Sequence, residues 1–203
     1  MYKYLLMVLI VLFGSIPGIS FAEQRNFQKN GIAYIWENEP NYLESKKVFC
    51  DAFVKCYGQV PLDVLRKSSR EEMVQWLDDA FEETYVDYKN SKSSLWLSAK
   101  ANDKVVGCLI IDIAKYPEEI YLAELAIDPA YQGQGIASSM IRSLFDQFSE
   151  CGRFVVITRC ANEEANGLYN ALGFTSSSYM HEGYSRELYT GFEYINQHET
   201  ERQ

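Results

Sequence analysis

The stretch 121-YLAELAIDPAYQGQGIASSMIRSLFDQF-148 decides the fold. Tyr121 to Ile127 is an alternating to continuous apolar run with the length and residue types of a buried strand. Asp128-Pro129 ends it, because proline has no N–H for a ladder and fixes its own φ. A glycine-spaced loop follows, Gln132-Gly133-Gln134-Gly135-Ile136-Ala137, and beyond it Ile136, Met140, Ile141, Leu144, Phe145 and Phe148 recur at helical spacing. Strand, tight loop and helix in that order set the unpaired N–H groups of a first helical turn beside a loop left bare by Gly133 and Gly135 and by small Ala137. The helix dipole adds its positive end there, so the place suits an anion.

Two phosphate-binding patterns fail on this stretch. A nucleotide P-loop needs Gly-x4-Gly-Lys-Ser/Thr, and no lysine or correctly spaced second glycine is present. A dinucleotide fingerprint needs Gly or Ala at position 138, which is serine, and an acidic residue closing the next strand, where Thr158 and Arg159 stand.

A third pattern fits. Gln132-x-x-Gly135-x-Ala137, after a strand ending Ile127-Asp128-Pro129, resembles the Gln/Arg-x-x-Gly-x-Gly/Ala acetyl-CoA signature of the GNAT superfamily of N-acetyltransferases. Downstream, Phe154 to Ile157 is a short apolar strand, and the run Asn162 to Phe174 (NEEANGLYNALGF) resembles the family's following helix with its Leu-Tyr and Leu-Gly-Phe ending. The resemblance extends over Ile32 to Tyr194 and is closest from Tyr121 to Phe174. It implies an acetyl-CoA-dependent transfer to a primary amine of a small molecule, peptide or protein by direct attack on the thioester, with acetyl-CoA as co-substrate and no metal. The alternative is a non-catalytic acyl-CoA-binding module of the same fold.

Carried onto this chain, the resemblance assigns donor binding to backbone N–H groups of Gln132, Gly133, Gln134, Gly135, Ile136 and Ala137, and pantetheine pairing to the backbone of Ala126 and Ile127. Tyr169 takes the family's general-acid place, although Ala165, Leu168, Tyr169 and Leu172 share helical spacing and the ring also fits a buried stripe. Glu124 is the carboxylate near which some relatives carry a base; others place a glutamate where Ile157 and Thr158 stand here, and proton loss to water is a third route. His181 and His198 are surface residues on this reading, His181 being within reach from a closing strand. Asn162, followed by Glu163 and Glu164, reads both as a helix N-cap and as a cofactor neighbour, and Asn166 aligns with a position that touches the cofactor in some relatives.

The 203 residues, 47% hydrophobic and 14% aromatic, suffice for one packed domain over 32–195 plus extensions. Residues 1–22 have the layout of a secretory signal peptide: Lys3, an apolar run from Tyr4 to Phe13, then Ser20-Phe21-Ala22. Export with cleavage is the expectation, with a membrane anchor or a cytoplasmic protein as alternatives, since five scattered cysteines suit a reducing compartment. Cleavage would remove only Lys3 among the charged residues and take the net charge from −9 to near −10, which disfavours nucleic acid as partner. Residues 23–31 read as a loose linker and 196–203 as a polar tail.

Between them, Ile32 to Trp36 reads as a strand, and Pro40 to Tyr57 as a helix with Leu43, Val48, Ala52 and Phe53 inward. Ser69 with Glu72 forms a capping box ahead of a helix to Tyr88, and Ser94 to Ala101 and Lys104 to Ile113 read as a hairpin through Asn102-Asp103. Ser178 to Met180 and Glu187 to Ile195 are the expected closing strands. The expected class is α+β, a mixed, mostly antiparallel sheet with helices on both faces.

Overall fold

The computed structural model describes residues 25–181 and 184–196; the signal-peptide reading of residues 1–22, His198 and most of the polar tail lie outside the described residues. The strands are β1 (Phe27–Lys29), β2 (Ile32–Glu37), β3 (Ser94–Ala101), β4 (Lys104–Lys115), β5 (Glu119–Ile127), β6 (Arg153–Arg159), β7 (Thr175–Ser177) and β8 (Tyr189–Ile195). They form one sheet in the order β1-β2-β3-β4-β5-β6-β8-β7, in which only β5 and β6 pair in parallel. The helices are α1 (Tyr42–Tyr57), α2 (Arg70–Asn90), α3 (Ile136–Gln147) and α4 (Glu163–Ala171). The mixed, mostly antiparallel sheet with helices on both faces is as expected.

Local chemistry accounts for most boundaries. Asn102 and Asp103 both take positive φ (48° and 64°), the conformation that joins strands whose twist is right-handed. Asn30 (51°) and Gly31 (77°) do the same between β1 and β2, so part of the expected loose linker is a hairpin signalled by its Asn-Gly pair. Side-chain oxygens of Asn41 and Ser69 accept the N–H groups of Glu44 and Glu72 and start α1 and α2. Glu72 in turn accepts from the Ser68 N–H at 2.7 Å, one residue before the usual capping-box partner.

Each sheet face carries its own core. On one, Val48, Phe49 and Ala52 of α1 and Phe81 of α2 pack on Trp96, Cys108, Ile110 and Ala126. On the other, Met140, Ile141 and Leu144 of α3 cover Leu97, Leu109, Ile111, Leu122 and Phe154, with Tyr169 and Leu172 of α4 alongside. Leu43, expected inward, is 75% exposed, because the buried stripe runs through Ser45, Val48, Phe49 and Ala52 and Leu43 lies about 200° around the helix from Ser45. The expected strand at Ser178 to Met180 is also corrected: pairing with β8 stops at Ser177, and the chain then crosses over Gly191. A Cβ on Gly191 would stand 2.2 Å from the Tyr179 carbonyl oxygen, so the crossing needs glycine.

The β4–β5 ladder pairs Ile111 with Leu122 and Ile110 with Glu124, leaving Ala123 as an extra residue. Side chains alternate along a strand, so without this bulge Leu122 and Glu124 would share a face. With it, Leu122 joins the core under α3, while Glu124, opposite Ile110, turns toward α1 and α2.

Phe81→Ala should cost about 3–5 kcal/mol in urea unfolding, since the ring is fully buried. Leu43→Ser, despite removing a leucine from a helix, should stay within about 0.5 kcal/mol of the parent.

Candidate active site

Parallel pairing of β5 with β6 ends at Leu122 and Val156. Beyond that point β5 pairs only with β4 and β6 only with β8, so the two strands part and open a wedge in the sheet. A cavity of about 380 Å³ fills the wedge, walled by Leu125, Ala126 and Ile127 of β5, by Gln132, Gly133, Gly135, Ile136 and Ala137, and by Asn162, Leu168 and Tyr169.

The loop at its mouth is held by Gln132, whose Nε2 donates to the Ile127 carbonyl at 3.0 Å while its Oε1 accepts from Lys55 Nζ. Gly133 and Gly135 take φ of 74° and 76°, and a Cβ on either would meet nothing within 4 Å. Glycine is therefore required here by backbone conformation, and the space beside it is open. Helices α1, α2 and α4 start on a side-chain cap, whereas α3 has none. Its first intrahelical bond is Ser139 N–H to the Gly135 carbonyl at 3.0 Å, leaving the N–H groups of Ile136, Ala137 and Ser138 without a helical acceptor. Open glycines and an uncapped helix start fit a diphosphate. The Ile136 side chain is buried in the core, so its part in such a site is its backbone.

Two side chains expected near this site do not line the cavity, although the backbone of Gln134 belongs to the same loop. Gln134 is exposed and bonds the Ala130 carbonyl. Asn166 donates to the Cys160 carbonyl at 3.1 Å, and neither residue lines the cavity, although the Asn166 Oδ1 is buried without a hydrogen-bond partner. Asn162 is the helix cap expected of it, its side chain accepting the Ala165 N–H at 3.0 Å, and it also borders the cavity.

A second cavity of about 270 Å³ lies on the α1–α2 side of the same wedge and shares Phe53, Leu125, Asn162, Ala165 and Tyr169 with the first. Glu124 projects into it with no hydrogen-bond or ion-pair partner among the described residues, and burial pushes its carboxyl up to about 7. Tyr169 is 4% exposed, its ring packed on Phe174 and Phe192 at 5.4 and 5.8 Å between centroids. The ring therefore lies on the buried stripe, and the same residue borders both cavities. Burial first, and the Glu124 charge second, raise the phenol and keep it protonated.

Tyr57, Tyr189 and Arg159, which the sequence reading assigns to no site, wall this cavity together with Trp76. Tyr57 and Trp76 come from α1 and α2, Tyr189 from β8, and Arg159 ends β6, where a charge closing an apolar strand was the available signal. His181 stays outside: it is exposed, stacks on Tyr121 at 4.4 Å and bonds the Tyr179 hydroxyl at 2.8 Å.

A family model described as acetyltransferase (GNAT) family matches residues 62–174, more than half of the chain. N-acetyltransferase 8B of Homo sapiens is 31% identical over 97 residues, 44% of this chain and 42% of that protein. N-alpha-acetyltransferase RimI of Mycobacterium tuberculosis is 38% identical over 58 residues, 29% and 36% of the two chains. The chain therefore spans less than half the length of these curated relatives. In fold, it is similar to the PaiA N-acetyltransferase of Thermoplasma acidophilum solved with coenzyme A (TM-score 0.64, 13% identity, 80% of this chain and 98% of that one). It is likewise similar to the ribosomal-protein-S18-alanine N-acetyltransferase of Escherichia coli (TM-score 0.58, 18% identity, 81% and 94%).

Between its ordinary value of 4.5 and about 7, Glu124 holds a proton in the folded chain that the unfolded chain lacks, so its burial lowers stability as pH rises through that window. Glu124→Gln should therefore raise the melting temperature by a few degrees at pH 8 and by much less at pH 5, measured by thermal unfolding. Equal shifts at the two pH values would refute the unpaired buried carboxylate.

Proposed function

We propose that this chain, which belongs to the acetyltransferase (GNAT) family, is an acetyl-CoA-dependent N-acetyltransferase that moves an acetyl group to a primary amine by direct attack on the thioester. One observation carries the reading: a cavity with an uncapped helix start and a cavity holding an unpaired carboxylate meet at Tyr169. The coenzyme A bound by the Thermoplasma acidophilum protein and the N-acetyltransferase names of the relatives support it.

Bound acetyl-CoA would supply the acetyl thioester. The backbone from Gln132 to Ala137 holds the diphosphate, and the β5 edge at Ala126 and Ile127, freed from β6, pairs with the pantetheine amides and faces the thioester oxygen. Glu124, with a carboxyl near 7, takes the proton that the acceptor amine must lose, directly or through one water. The N–C bond forms, the C–S bond breaks, and the Tyr169 hydroxyl gives its proton to the departing sulfur. A phenol raised by burial remains protonated for that step, and the same dry surroundings raise the proton affinity of the thiolate.

Tyr169→Phe keeps the ring and its contacts and removes the proton; kcat should fall roughly 10²-fold or more with coenzyme A affinity within about twofold of the parent. Turnover within about threefold, measured by thiol release where chemistry limits the rate, would refute the assignment. A chain that binds acetyl-CoA and acetylates no amine would be the non-catalytic module instead.

The pH profile tests Glu124. Rates should fall as pH drops through about 7, because the carboxyl must be ionised to accept a proton. In Glu124→Gln that limb should vanish, leaving a lower rate that follows only the ionisation of the acceptor amine.

A further inference from the structure

Arg159 is 8% exposed and lines the same cavity as Glu124. Its guanidinium carbon lies 4.6 Å from the ring centroid of Trp76, 5.0 Å from that of Tyr189 and 5.9 Å from that of Tyr57. Ring faces attract a cation and offset part of its desolvation, but they accept none of its N–H groups in plane. Nε is buried with no hydrogen-bond partner, and among the described residues no carboxylate stands within ion-pair distance of this side chain. The buried Glu119 shows how this chain handles a charge that serves structure alone: Lys115 bonds it at 2.9 Å and Arg153 at 2.6 Å. An unpaired buried cation costs free energy unless something else completes it.

What would complete it is set by shape. A guanidinium covered on its faces by aromatic rings offers its edge, and that edge matches a planar two-oxygen anion through two parallel hydrogen bonds. Glu124 is not that partner, since no ion pair joins the two, yet both charges act on one phenol: after burial, which raises Tyr57 most, Arg159 lowers it and Glu124 raises it. Arg159 thus lines, together with the carboxylates Glu124 and Glu83, one cavity of about 270 Å³, at the small end for ligand pockets, whose walls mix aromatic rings with polar groups such as Thr84, Thr158 and Asn162.

We propose that the acceptor is an amine that itself carries a carboxylate, an amino-acid-like molecule whose carboxylate docks on the edge of Arg159 while its amine meets Glu124. This rests on the acetyl-transfer reading above and names the substrate class of that site.

The test uses L-leucine and L-phenylalanine against their primary carboxamides, which keep the amine and the side chain and lose only the charge. Affinities are measured by calorimetry on the full chain saturated with coenzyme A. Initial rates with acetyl-CoA are referred to the neutral fraction of each amine. The parent should favour the acids at least tenfold in both affinity and kcat/KM. Arg159→Gln should bring the acid-to-amide ratio near one, and Arg159→Lys should restore only part of it, because an ammonium is a point charge without the fork. Circular dichroism and coenzyme A affinity establish that each variant is folded. A parent ratio near one, a ratio unchanged in a folded Arg159→Gln, or no binding and no transfer with either series would overturn the inference. Transfer to amides as fast as to acids would do so while leaving acetyl transfer standing, whereas a parent that fails to bind acetyl-CoA would overturn the donor reading on which the inference rests.

Discussion

Between Leu122 and Glu124 the β5 strand has one residue more than β4 can pair, and both cavities depend on that mismatch. An extra residue bends a strand, increases its local twist and re-aims the side chains beyond it. Here Ile120 and Leu122 join the core under α3, Glu124 turns to the opposite face, and the last β5–β6 pair falls beside the bulge. β6 continues straight along β8 to Arg159. One strand has left its neighbour, and the gap supplies a free backbone edge on β5 and room on either side of Tyr169.

The two kinds of buried charge in this chain differ in what surrounds them. Glu119, at the start of β5, is bonded by cations from two strands, which holds the parallel pair together before it parts. Glu124 and Arg159, past the parting, lack such partners among the described residues. A fold that needed only stability would have paired them or replaced them with apolar residues of similar size. Unpaired titratable and cationic groups beside a cavity mark a candidate functional site, and the stability they cost is the usual trade at such sites.

Tyr169 is at once a core residue and a lining residue of both cavities. Its ring is fixed by Phe174 and Phe192, which removes the rotamer freedom that would blur the place of the hydroxyl, and the cavities begin where that packing ends. The ordering that stabilises α4 against the sheet also orients the phenol. Asn162 works in the same double way, closing the first turn of α4 and forming part of the cavity wall.

The features legible in the residues are those whose cause is local. Apolar spacing located α3, a proline ended β5, side-chain oxygens at Ser69 and Asn162 marked helix starts, and glycines marked the bare loop, because each of these is settled within a few residues. The Asn30-Gly31 hairpin was equally local and was passed over inside a polar stretch. Leu43 and Ser178 to Met180 were misread because burial and pairing there are decided by distant chain: the direction in which α1 meets the sheet, and the path of Tyr179 over Gly191. Asn166, assigned by position in a motif, turns its side-chain amide to a backbone carbonyl instead. By itself, then, the sequence determined the order of the main elements and the bare, glycine-flanked start of one helix, since both follow from short-range backbone chemistry. Which face Glu124 occupies, where β5 parts from β6, and that Arg159 stands among Tyr57, Trp76 and Tyr189 were decided only in the tertiary structure, because each depends on strands and helices that meet across long separations in the chain.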